Sequence, residues 1–147
     1  MSTRSTTHFI DSEATYLNGQ PQAIIYRHSD GYPDGEHGVP ADLERFFAQV
    51  EADTRDTRFS DPAYLAAKFV VWQASQCART YDAKTGKWKK SKSLDFLGVG
   101  VLQENPCDIE YEYFVDCGNR NAQGRPAVRC RNLHETLEDV SEQKLKG

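Results

Sequence analysis

Apolar positions along this chain recur at two spacings, alternation in the outer segments and a helical stripe in the middle, and these predict its elements. Residues Ser2 to Ile10 form a Thr-rich run that reads as a strand. Leu17-Asn18-Gly19-Gln20 reads as a turn, because an Asn-Gly pair suits positive φ at both positions. Ala23 to His28 is a second strand, with Ile24, Tyr26 and His28 on one face and Ile25 and Arg27 on the other. These two strands are expected to form a hairpin. Pro40 suits the first position of a helix whose apolar stripe is Leu43, Phe46, Phe47 and Val50. A charged linker from Glu51 to Arg58 follows. The second helix takes Asp61 as N-cap and Pro62 as first residue and runs to about Arg79. Its Leu65, Ala66, Phe69, Val70, Val71 and Trp72 wrap most of the circumference. That is more than one sheet face covers, so a homo-oligomer is expected, most simply a two-fold dimer.

Tyr81 to Ser93 reads as a Lys-rich loop, followed by strands at Phe96–Leu102, Ile109–Val115 and Ala127–Arg131. Gly98 and Gly100, two apart in their strand, suggest close approach of another backbone or a ring. The resulting ββααβββ order predicts an α+β fold, an antiparallel sheet of about five strands with two helices packed on one face. Residues 1–137 form one domain and 138–147 a charged tail.

Composition narrows the function classes. The hydrophobic fraction is 38% and the net charge −4, while sixteen aromatics supply bulk for a core. Mean hydropathy is −0.71, and no apolar run is long enough to span a bilayer. With no signal-peptide pattern, the expected compartment is the cytoplasm. Cys77, Cys107, Cys117 and Cys130 form no C-x-x-C and are expected as free thiols. The acidic balance argues against general nucleic-acid binding. Charge is uneven, however: positions 34–61 carry eight acids against three bases, and positions 117–134 carry four arginines and no acid.

The chemistry concentrates in Tyr26-Arg27-His28-Ser29-Asp30-Gly31-Tyr32-Pro33-Asp34-Gly35-Glu36-His37-Gly38, which places imidazoles, carboxylates and tyrosines on a glycine-punctuated loop. It matches no catalytic signature. His28, Asp30 and His37 are the types a metal-assisted site needs, since neutral imidazole and carboxylate bind metals. Equally, Asp30-Gly31 and Asp34-Gly35 are ordinary turn dipeptides. No metal or other cofactor is expected. Arg120, Arg125, Arg129 and Arg131 can grip an anion through bidentate guanidinium contacts. Alternatively, Arg129 and Arg131 oppose Glu110 and Glu112 in a cross-strand charge ladder. Arg120 and Arg125 are then the better ligand contacts, having no acid placed opposite. Lysines around Trp88 read as a solvated loop rather than a single-strand grip.

The opening Ser2-Thr3-Arg4-Ser5-Thr6, the Tyr26-Arg27-His28-Ser29-Asp30-Gly31-Tyr32-Pro33 block and Asp108-Ile109-Glu110-Tyr111-Glu112-Tyr113 together resemble a group of small phage and prophage-borne accessory proteins. Those proteins have an S/A-T-R start, a Y-[RK]-H-W-D-G-Y-P segment and a D-x-E-Y-x-Y strand in the same order. Ser29 stands here where that group has tryptophan. The resemblance implies a setting and not a mechanism. Such accessory proteins are often stoichiometric inhibitors, so the first expectation is a non-catalytic inhibitor of host defence in the host cytoplasm. Its ligand would be a nucleotide-derived signal or a host protein, with Arg27, His28, Asp30, Tyr32, Arg120 and Arg125 as contacts. The alternative is a metal-assisted phosphohydrolase or nuclease using His28, Asp30 and His37.

Overall fold

A computed structural model describes residues 3–11, 23–77, 79–90 and 98–133. The expected turn at 17–20 and the tail at 138–147 lie outside them. The described elements are β1 (Ser5–Ile10), β2 (Ala23–Arg27), α1 (Val39–Asp53), α2 (Pro62–Cys77), β3 (Arg79–Asp82), β4 (Lys87–Lys90), β5 (Val99–Leu102), β6 (Tyr111–Arg120) and β7 (Pro126–Asn132).

The main sheet has the order β5-β2-β1-β6-β7. β1 pairs antiparallel with β2, Ser5 opposite Arg27, as the hairpin reading requires. It pairs parallel with β6, Ser5 opposite Tyr111 and Ile10 opposite Asp116. The sheet is therefore mixed, which corrects the all-antiparallel expectation. Alternation is two residues whichever way a strand runs, so the pattern in β6 fixes its faces and not its direction. β1 lies at the centre, and all six of its residues are buried although Ser5, Thr6, Thr7 and His8 are polar.

Both helices pack on one face. Phe9, Ile25, Tyr113 and Val115 from the sheet meet Leu43, Phe46, Phe47 and Val50 from α1 and Leu65, Phe69 and Trp72 from α2. The Phe46 ring lies 5.1 Å from Phe69 and 6.0 Å from Trp72, so aromatic rings fill the space between the helices. Each such ring contributes roughly 1.5–3 kcal/mol when fully buried. α1 begins one residue before Pro40 and extends through Asp53, so the charged linker is shorter than the sequence suggests. Thr54 ends it, its hydroxyl donating to the Val50 carbonyl at 2.6 Å. Asp61 caps α2 by accepting from the Tyr64 backbone N–H at 3.3 Å. α2 stops at Cys77 rather than Arg79, and it leaves Val71 70% and Tyr64 57% exposed.

The Lys-rich stretch is a hairpin and not a plain loop. β3 and β4 pair with Arg79 opposite Lys90 and Asp82 opposite Lys87. Asp82 explains it: its backbone carbonyl accepts from Gly86 at 2.8 Å and its carboxylate from the Lys84 N–H at 2.9 Å, which closes a turn that a count of lysines overlooks. Among the described residues Cys107, Cys117 and Cys130 form no disulfide, and of the three Cys117 alone is buried. No helix among the described residues is long and apolar enough to cross a membrane.

Candidate functional site

The chain leaves β2 at Arg27 and enters α1 at Val39 through the polar loop. Arg27 points inward, 7% exposed. Its Nη1 lies 2.6 Å from Asp42 Oδ2, its Nε donates to the Ser29 carbonyl at 2.9 Å, and its Nη2 to the His37 carbonyl at 3.4 Å. One guanidinium thus ties both ends of the loop to the first turn of α1, which makes it a shaping residue. The Gly31 N–H donates to the Thr3 carbonyl at 2.9 Å, and the Gly31 carbonyl accepts from the Tyr113 hydroxyl at 2.6 Å. A Cβ on Gly31 would lie 2.7 Å from both Ser5 Oγ and the Thr3 carbonyl, so this approach demands glycine. Asp30 adopts a φ of 56°, a region that Asp tolerates better than most residues.

Outward from this frame stand His28, Ser29, Asp30 and the stretch from Asp34 to His37, all exposed. His28 Nδ1 lies 3.0 Å from the Tyr26 hydroxyl, and His37 Nε2 lies 3.2 Å from Glu36. The Tyr32 hydroxyl donates to Asp30 at 3.3 Å. Desolvation, then the Asp30 charge, push the Tyr32 pKa up. Among the described residues no three His, Cys, Asp or Glu side chains gather as a metal ligand set, so His28, Asp30 and His37 do not converge.

Arg120 sits elsewhere. β6 is irregular between Asp116 and Arg120. Asp116, 4% exposed, holds the bend by accepting from the Gly118 N–H at 2.9 Å and the Asn119 amide at 2.7 Å. A Cβ on Gly118 would fall 1.9 Å from the Asp11 carbonyl, so only glycine allows β6 this close to the end of β1. Beyond the bend, Arg120 Nη1 donates to the Cys117 carbonyl at 2.8 Å and Nη2 to Ser60 Oγ at 2.6 Å.

There the guanidinium borders an open cavity of about 590 Å³ between the 56–63 segment and the end of β1. Arg58 lines it too, its φ 53° and its guanidinium 4.3 Å from the Tyr64 ring and 3.7 Å from Asp61. Asp11, Asp56 and Asp61 add carboxylates. Guanidinium groups bind oxyanions, and carboxylates accept from amines and hydroxyls, so the lining suits a ligand that carries both. The volume falls in the range of small-molecule sites. Cys117, next to this wall, has its pKa pushed up to about 12 by burial and is no thiolate nucleophile near neutrality.

Arg125 is not free of opposed acid, as the sequence suggests. Its guanidinium meets Glu44 and Glu51 of α1, each at 2.8 Å, and clamps the β6–β7 hairpin to that helix. The acids come from a distant element, which strand pairing alone cannot reveal. The Glu–Arg ladder is met in register at one position only. Glu112 is directly opposite Arg131, but its side chain turns inward to 3.8 Å from His8 Nε2, and Arg129 lies over the Phe114 ring at 5.8 Å. A Cβ on Gly100 would lie 3.9 Å from Tyr26 Cδ1, so a ring does stand beside that glycine, and another backbone approaches Gly98, whose carbonyl accepts from the His28 N–H at 3.0 Å.

The loop and the Arg120 cavity are therefore separate places, and Arg58, Ser60 and the flanking aspartates are the residues that sequence reading missed. Their signal lay in Arg58-Phe59-Ser60-Asp61-Pro62, which reads first as a helix start. No protein-family model matches the chain, and neither a curated protein nor a solved structure matches it significantly.

Proposed function

We propose that this protein is a non-catalytic binder of the phage accessory type, capturing a nucleotide-derived signal in the Arg120 cavity and so inhibiting a host defence that depends on it. The supporting observation is that two guanidinium groups and three carboxylates share one cavity of nucleotide size. Asp56 and Asp61 disfavour a bare phosphate, and Arg58 and Arg120 disfavour a simple amine. A nucleotide satisfies both sets, its phosphate facing the arginines and its amino and hydroxyl donors facing the aspartates. The phage-like loop motif supplies the setting, and the exposed Val71 and Tyr64 support a homo-oligomer.

Thermal-shift and calorimetric titration with a panel of cyclic and linear nucleotides tests the reading. One class should raise the unfolding midpoint, and Arg120→Ala should weaken its binding about ten- to a hundredfold, the usual loss for a charge-assisted contact. The nucleotide should be recovered unchanged after heat denaturation. No shift with any nucleotide would leave a host protein as the better target. A cleaved product whose formation His28→Ala abolishes would replace the binder with the metal-assisted phosphohydrolase or nuclease.

A further inference from the structure

We infer that the groove between α1 and α2 is a two-fold interface occupied by a second copy of this chain. The groove, lined by both helices, has a volume of about 550 Å³ and shares no lining residue with the Arg120 cavity. Its floor is aromatic and aliphatic: Phe46, Val50 and Trp72 are 1%, 5% and 8% exposed. The Trp72 indole is stacked on Phe69 with an interplanar angle of 11°, which fixes a flat apolar surface at the bottom. Val71 stands on the rim, 70% exposed, an apolar side chain with nothing over it among the described residues.

The charges choose the occupant. Asp53 lies on the α1 wall and Lys68 on the α2 wall. Asp53 accepts from the neutral Gln49 amide, and Lys68 makes no ion pair among the described residues. A two-fold axis through the groove sets Lys68 of each copy against Asp53 of the other, and each Val71 over the partner's aromatic floor. An isologous interface requires this reciprocity, residue i on j and j on i. One cation and one anion on opposite walls form a self-complementary surface, which a second copy satisfies without any further coincidence of sequence.

Sedimentation velocity of the full chain over a concentration series tests this without any nucleotide present. The wild type should dimerise reversibly. Val71→Glu, a change at an exposed position, should give a monomer with an unchanged circular dichroism spectrum. Lys68→Glu and Asp53→Lys should each weaken the dimer about tenfold, because a two-fold axis makes each reversal felt twice. Combining the two reversals should restore association, which a merely structural role for either residue would not produce. A wild type that stays monomeric at every concentration, a dimer indifferent to Val71→Glu, or a double reversal no better than the singles overturns the proposal.

Discussion

The Arg27 guanidinium and the Asp42 carboxylate meet at 2.6 Å with their side chains only 8% and 9% exposed, and this pair joins the polar loop to the helix that follows it. Removing one member leaves the other charge buried. Arg27→Leu or Asp42→Leu should therefore lower stability by about 3–5 kcal/mol. The double variant should cost clearly less than the two singles together, since neither charge is then stranded. Urea denaturation of the three variants measures the coupling, and simple additivity would show that the pair does not act as a unit.

Phe46 touches Phe47, Phe69 and Trp72 and is 1% exposed. Phe46→Ala should cost about 3–5 kcal/mol, the sum of lost transfer energy and an unfilled cavity. A loss below about 1 kcal/mol in chemical denaturation would mean that α1 does not face the core as described.

His8 carries the pH dependence. It is 1% exposed, stacked on Phe114 at 5.0 Å, with Nε2 3.0 Å from Thr6 Oγ1. Burial lowers its pKa from 6.5 to about 4, partly offset by the Asn105 contact. The unfolded chain thus takes up a proton on His8 below about pH 6.5 while the folded chain does not, so stability falls as pH drops from there toward 4. The loss attached to this group is on the order of 3 kcal/mol. His8→Gln should flatten the stability profile in that window, and an unchanged slope in the variant would assign the dependence to other groups.

Arg120 and Arg125, alike in sequence, should separate by experiment. Arg125→Ala removes contacts to Glu44 and Glu51 and should lower stability by much less than the Arg27 change, with the difference shrinking at high salt. It should leave nucleotide binding intact. Arg120→Ala should do the reverse, and calorimetry on both variants distinguishes the roles.

The helices were legible because their stripes and caps are local: Leu43 to Val50 and Asp61-Pro62 mean the same thing in any context. The faces of β2 were equally legible, since Ile25 and Arg27 share one side and Ile24 and Tyr26 the other. The direction of β6 was not, because no turn joins it to β1. Neither was the role of Arg125, whose partners come from a helix more than seventy positions away. Arg27 looked like a ligand contact because nothing in its neighbourhood announces that Asp42 closes over it. The Arg120 cavity escaped notice for the same reason, its two sides lying 60 positions apart at Ser60 and Arg120.

The parallel pairing of Ser5 with Tyr111 also has a temporal meaning. During synthesis β1 emerges about a hundred residues before the strand that flanks it. At roughly 5–20 residues per second the interval is on the order of 5–20 seconds. Throughout it, one side of a Thr-rich strand bearing Phe9 and Ile10 has no native neighbour. That edge stays open until β6 arrives, so the yield of folded protein should depend on translation speed through the second half of the message more than on the first.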